Sequence, residues 1–424
     1  MENLLHYAWK YRLYQSDSLL TVDNLPVEVI DPGIHNFDSG PDFFNAKLRI
    51  GGILWVGNVE IHLRASDWNR HNHDTDRSYN SVIAHIVSDS DCQVVSQEGR
   101  VVPQFVLPYP MHLEKQYISL LKSDSLIACR NYIHHLDPFV FTSWKTRLLI
   151  ERLEQKSVLI DQIAQLSCND WDTIFYTLLG RSFGFGINSE PFERLVRSIP
   201  FQIVMKHSDS LFQLEALFLG QAGFLSDTEC KEVRYQRLQR EYAYLKHKHQ
   251  LQEMDTSVWK LAKTHSYNFP VVRIAEFAAL FHSYERFFAL IVDKMKSLDD
   301  LIALFQVNAD AYWDNRFSFD IPSPFNKKHL GRESILIVII NAVIPVLFAY
   351  GKYLGEEHVT ERAFAILEEI KAENNSIVRN WKSLGIRIDT AYDSQAIIQL
   401  QKEYCNKRKC LFCPVGYKIM SALS

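Results

Sequence analysis

Residues 40–87 read GPDFFNAKLRIGGILWVGNVEIHLRASDWNRHNHDTDRSYNSVIAHIV. Phe43 to Ile50 alternates, with Phe44, Ala46, Leu48 and Ile50 on one face and Asn45, Lys47 and Arg49 on the other, as a strand requires. Gly51-Gly52 turns the chain, and Ile53 to Leu63 returns. Ile53, Trp55, Val59 and Ile61 alternate with Leu54 and Val56, so both faces are apolar, which predicts a central strand covered on both sides. Ser66-Asp67 is a helix start, predicting a short helix to about Ser81, and Val82 to Val87 is a further strand.

The flanks extend this pattern. Leu4, Leu5, Ala8, Trp9 and Arg12 recur at helical spacing over 2–15, and Ser16 to Ser18 ends the run. Leu19 to Ile30 reads as extended chain with a turn at Asp23-Asn24, closed by Asp31-Pro32-Gly33. Cys92 to Val95 and Arg100 to Leu107 read as strands joined at Glu98-Gly99. From Leu113 the period becomes helical, in segments 113–123, 138–165, 170–183, 190–205, 208–223, 227–249, 256–264, 271–283, 285–294, 297–306, 333–350, 358–372, 375–383 and 392–404. The expected architecture is an α+β or α/β domain with a mixed sheet over 1–110 and a boundary segment over 111–136. A large, mostly α-helical domain follows over 137–400, then a cysteine-rich tail over 401–424.

A net charge of −4 gives no global attraction to nucleic acid, so any such contact must be a local patch. The N-terminus lacks the apolar core and cleavage site of a signal peptide. The apolar run Ile335 to Tyr350 is shorter than the roughly 20 residues of a spanning helix and carries Asn341 and Pro345, so it reads as a buried helix. Seven cysteines without a secretion signal imply a reducing compartment. The expectation is a soluble, cytoplasmic protein with no membrane partner.

Asp42, Glu60, His62, His71, His73, Asp76 and His85 crowd into the quoted stretch. Glu60 and His62, two apart on one strand, leave by the same face. A bulge or three-residue loop at the glycines would place Asp42 opposite His62 and Phe44 opposite Glu60, bringing Asp42 to that face. Two neighbouring carboxylates repel, and a hard cation such as Mg²⁺ or Mn²⁺ resolves the conflict. His73 and Asp76, at helical i, i+3 spacing, can join His62 and His85 around a transition metal. Against that stands a polar helix start favoured by Asp74 and Asp76, the better reading for His71 and Asp74. His85, among Val82, Ile83, Ile86 and Val87, reads as a buried, hydrogen-bonded histidine.

With Pro41-Asp42 opening one strand and Glu60-Ile61-His62 in the next, this order of elements resembles the PD-(D/E)XK nuclease-like (restriction-endonuclease-like) core. The resemblance covers roughly residues 1–108. It implies that Asp42 and Glu60 hold the metal and that His62 takes the place of a water-orienting lysine, with Asp76 and Tyr79 near a polar helper position. Histidine lacks lysine's permanent charge, so the departure points to a variant or inactive site. GPDFFNA, GNVEIH, DWNRHNHDTD and the cysteine tail also resemble a bacterial family of unknown function, DUF2851, which implies no activity.

Cys405, Cys410 and Cys413 follow x₄ and x₂ spacing and end on Pro414. Two thiolates of a Cys-x-x-Cys reach one metal, and Lys407, Arg408 and Lys409 favour the thiolates. Zinc or a [4Fe–4S] cluster wants a fourth ligand, for which Cys129 is the candidate. The tail resembles that of some helicase- and CRISPR-associated nucleases, with one upstream and three downstream cysteines. Cys92, Cys168 and Cys230 read as packing residues. Lys231 to His249 interleaves basic and tyrosine residues, as a nucleic-acid face or a solvated helix would. The expected function is a metal-dependent nuclease on DNA or RNA. The alternatives are a non-catalytic binding or scaffold protein of the same fold, or another metal-dependent hydrolase using His62, His73 and Asp76.

Overall fold

The computed structural model describes residues 1–14, 19–135, 137–261 and 269–421. The chain forms two compact units: Met1–Trp144 with Leu400–Ser424, and Lys145–Gln399.

The first unit is built on a mixed sheet. Its strands are β1 (Val27–Asp31), β2 (Ile34–His35), β3 (Phe43–Ile50), β4 (Ile53–Arg64), β5 (Val82–Asp89) and β6 (Gln104–Val106), in spatial order β1-β3-β4-β5-β6 with β2 beside β3. β1, β3 and β4 are antiparallel; β4, β5 and β6 are parallel. Gly51 and Gly52, both at positive φ, make a two-residue hairpin turn, so Ile50 faces Ile53 and Leu48 faces Trp55. The register then shifts on β3, around Asn45 at φ 56°, and Phe43 pairs with Val59. This corrects the expected register: the irregularity lies six residues before the turn and carries Asp42 to Glu60 rather than to His62. Phe43, not Phe44, joins Ala46, Leu48 and Ile50 in the core.

Helix α1 (Glu2–Lys10) covers one face, packing Leu4, Leu5, Ala8 and Trp9 against Leu48, Val59, Ile61 and Ile86. Leu411 and Met420, from the returning C-terminal segment, close the same core. On the other face Ala65, Trp68, Tyr79, Val82, Val87, Val94 and Val102 form a second cluster. β5 approaches β4 closely because Gly57 has no side chain; a Cβ there would stand 2.4 Å from Ile83.

Other local expectations are corrected. β4 is covered on both faces only over Val59–His62, while Ile53, Leu54 and Val56 are exposed. The helix expected over 66–81 is one turn, α2 (Asp67–Arg70), then Asn72 at φ 63° and a 3₁₀ turn over Arg77–Ser81. Its Asn, Asp and Ser side chains compete with helical hydrogen bonds, and Asp76 does so by binding the Ser78 amide. Of the expected pair after Cys92, only the Val95–Val101 bridge and β6 form.

The second unit is largely helical. Pro200 divides the expected helix 190–205 into Ser189–Ser198 and Phe201–Lys206. The helix Arg332–Leu354 is long and apolar enough to cross a membrane, but 72% of its apolar window is buried inside the protein. The expected helix 256–264 reduces to a 3₁₀ turn over Thr256–Val258, and its end lies outside the described residues. A short hairpin, Arg316–Ser318 with Ile321–Pro322, has no counterpart in the sequence reading.

Candidate metal centre

The side chains of Glu60 and His62 leave β4 on one face, and His85 stands opposite Glu60 in the parallel register with β5. Two more histidines arrive from the turn after α2. Buried Trp68 accepts the His73 amide through its carbonyl, and left-handed Asn72 lets both His71 and His73 turn inward. Tyr79 stacks on His73 with ring centres 3.7 Å apart.

The donor atoms run in a chain. His71 Nδ1 is 3.1 Å from His62 Nε2, which is 3.5 Å from Glu60 Oε1, which is 3.3 Å from His73 Nε2. One nitrogen from each of His62, His71 and His73 lies within 4.8 Å of the other two. Ligands at 2.0–2.1 Å on a tetrahedral ion stand about 3.3–3.4 Å apart. The three consecutive separations bracket that value, and Glu60 stands outside the mutual 4.8 Å group of the three histidines. His62 Nδ1 is 2.9 Å from His85 Nε2, the second-nitrogen contact that fixes the ring of a metal-binding histidine.

Electrostatics favours a cation. Glu60 is 4% exposed and His62 2%, whereas His71 is open to solvent. Burial, then the adjacent Asp42 charge, pushes the Glu60 carboxyl up to about 9. Burial, then His85, His73 and His71, pushes His62 down to about 3; burial also lowers His73, and His85 to about 4. Burial therefore favours the uncharged forms of Glu60, His62 and His73. Three imidazoles and one carboxylate suit Zn²⁺ or Mn²⁺ and not Mg²⁺, which prefers oxygen.

Asp42 lies beside this set, not in it. Its backbone amide donates to Glu60 Oε2 at 3.1 Å, and its Oδ2 accepts the Ile61 amide at 2.9 Å and stands 3.4 Å from His6 Nε2. Burial opposes ionisation of both Asp42 and His6, but their mutual contact outweighs it, lowering Asp42 and raising His6.

The structure thus brings Glu60, His62 and His73 together, puts His85 behind them, and leaves the Asp42 carboxylate next door. Asp76 is exposed and engaged with Ser78. The sequence reading missed His71 as a donor and His6 as a partner of Asp42. The signal for His71 was His-Asn-His, because asparagine tolerates the left-handed conformation that aims both flanking rings inward. Cys129, Cys405, Cys410 and Cys413 line one cavity. In the helix Val233–His249, Tyr235 and Tyr242 are buried and so unavailable to stack on bases.

Neither the curated proteins nor the solved structures contain a match to this chain. The model of a family described as "Protein of unknown function (DUF2851)" matches residues 2–376.

Proposed function

The chain belongs to the DUF2851 family, and we propose that it is a metal-dependent hydrolase of phosphodiesters whose ion is held by Glu60, His62, His73 and His71. The observation carrying this reading is the chain of donor separations, 3.1, 3.5 and 3.3 Å, around a buried carboxylate. With His71, the solvent-exposed member, giving up its place to water, such an ion would supply Lewis acidity and water activation near neutral pH. His62 has both ring nitrogens engaged, toward His71 and His85, so it is a poor proton carrier. His6, steadied by Asp42, is the better-placed group to exchange a proton.

The phosphodiester class rests on two supports. An antiparallel β1-β3-β4 followed by parallel β5, with Asp42 before β3 and Glu60-Ile61-His62 within β4, agrees with the nuclease-like resemblance. A crevice lined by Asn3, His6, Lys10 and His35 offers an ammonium to an anionic group. A structural ion is the second reading, favoured by the burial of three donors and by four protein ligands that leave no open position.

The test is titration of chelator-treated protein with Zn²⁺, Mn²⁺ and Mg²⁺, then cleavage assays on single- and double-stranded DNA and RNA and on a simple phosphodiester. One Zn²⁺ or Mn²⁺ per chain, lost in Glu60→Ala, and cleavage that falls in His6→Ala with the ion retained, are expected. Absence of binding, or binding indifferent to Glu60→Ala, defeats the site. Binding that only raises thermal stability, with every substrate intact, selects the structural ion.

A further inference from the structure

We propose that Cys129, Cys405, Cys410 and Cys413 hold an iron–sulfur cluster of the [4Fe–4S] class. This site is separate from the histidine centre and independent of the hydrolase reading. The four residues come from two places in the first unit, the segment after helix α3 (Met111–Leu121) and the C-terminal return, yet they line one small cavity of about 20 Å³ that is partly open to solvent. All four are free thiols.

The spacing selects the occupant. Thiolates at about 2.3 Å from a zinc ion stand about 3.8 Å apart. Among the described residues, no three of these sulfurs lie within 4.8 Å of one another. Four thiols that share one cavity without any three of them crowding to single-ion spacing match a polynuclear centre, whose corner irons each take one cysteine. Leu120, Ala128 and Tyr404 give the cavity apolar walls that limit water.

The cavity is also built from the chain outward. Arg408 donates to the carbonyls of Ser123 and Ser125, and Gln401 donates to that of Leu126, so the cysteine loop is tied to the segment bearing Cys129. Burial pushes all four thiols up, against the expectation that the adjacent basic residues favour thiolates, and at Cys413 the amides of Val415 and Gly416, directed at Sγ, oppose that rise. A Cβ on Gly416 would stand 2.0 Å from the Cys410 carbonyl oxygen, so the helix Pro414–Ser421 can press against this loop only with glycine there. On binding, the four thiols release their protons to solvent and bond to the four irons. With two ferrous and two ferric irons, as a preformed cluster supplies them, the complex then carries a net double negative charge, which Arg408 and Lys409 offset. Iron and sulfide, or a preformed cluster, must come from outside the chain.

The test is anaerobic purification of the full chain, followed by reconstitution with equal amounts of ferrous and ferric iron and with sulfide, with metal, acid-labile sulfide and visible spectra measured. Iron and sulfide in equal amounts, about four of each per chain, are expected. Cys413→Ser should lose most of the iron, while Cys168→Ser, at an exposed thiol outside the cavity, and Glu60→Ala should keep it. Stoichiometric zinc that resists replacement, or a folded wild-type chain that takes up no iron on reconstitution, overturns the proposal.

Discussion

Two buried glutamates separate the two units of this protein. Glu215, on the helix Leu211–Gln221, is fully buried and fully matched: Arg234 donates to it at 2.6 Å and Trp313 Nε1 at 2.8 Å. Glu60 is nearly as deeply buried but meets a backbone amide, two histidines and the neighbouring carboxylate of Asp42, with His6 acting on it only from a distance. Burying a carboxylate costs several kcal/mol unless something repays it. In the second unit the repayment is a guanidinium encoded in the same chain. In the first the acid is kept neutral instead, its ionisation pushed up to about 9, and on the proposed reading a cation from outside would supply the repayment. A matched buried acid therefore holds a fold together, and an unmatched one marks a site.

The largest expected effect tests that contrast directly. Glu215→Gln leaves Arg234 with Asp310 as its remaining carboxylate partner and should destabilise the second unit by about 3–5 kcal/mol. Glu60→Gln in metal-free protein should cost less than about 1 kcal/mol, since it removes an acid that the fold never paired. Amide hydrogen exchange along the Leu211–Gln221 helix and along β4 reads the two units separately. Similar losses in both would erase the distinction between them.

How much of this was legible in the residues follows from what each signal depends on. Alternation over 43–63 and the glycine pair gave the hairpin, because a buried face enforces a period of two. The bulge was not readable: it rests on Asn45 at φ 56°, and it leaves Asp42 beside Glu60, two residues from the expected place opposite His62. Glu60-x-His62 declared its shared face, whereas His71 depended on a turn in a segment whose periodicity suggested helix. His6 was invisible as a partner, since its meeting with Asp42 is a tertiary contact across 36 residues of chain. The cysteine spacing was local for Cys405, Cys410 and Cys413. Cys129 joins them only through folding of the distant C-terminus onto the boundary segment.

A smaller effect is expected behind the imidazoles. His85 is completely buried and touches His62 through the nitrogen facing away from the donor set, and Gln104 lies opposite it in register. Partners of this kind orient a ligand, and losing one typically weakens metal affinity about 10–100-fold. His85→Phe keeps the volume and removes the contact, so the metal titration should give weaker binding with unchanged stoichiometry. Unchanged affinity with lower stability would make His85 a core residue, and His62 would then owe its orientation to packing alone.

The smallest effect belongs to Asp76, and it bears on the same rule from the other side. This carboxylate is exposed and already accepts the Ser78 amide at 2.8 Å, which, together with the Ser78 hydroxyl, holds its ionisation below the usual carboxylate range. An acid satisfied by water and by its own turn gains little from an ion. Asp76→Ala should loosen the 3₁₀ turn over Arg77–Ser81 and leave metal affinity unchanged in the same titration. A loss comparable to that of His73→Ala would mean that the turn swings Asp76 inward when the ion arrives, and that satisfaction in the resting fold does not decide which acids bind.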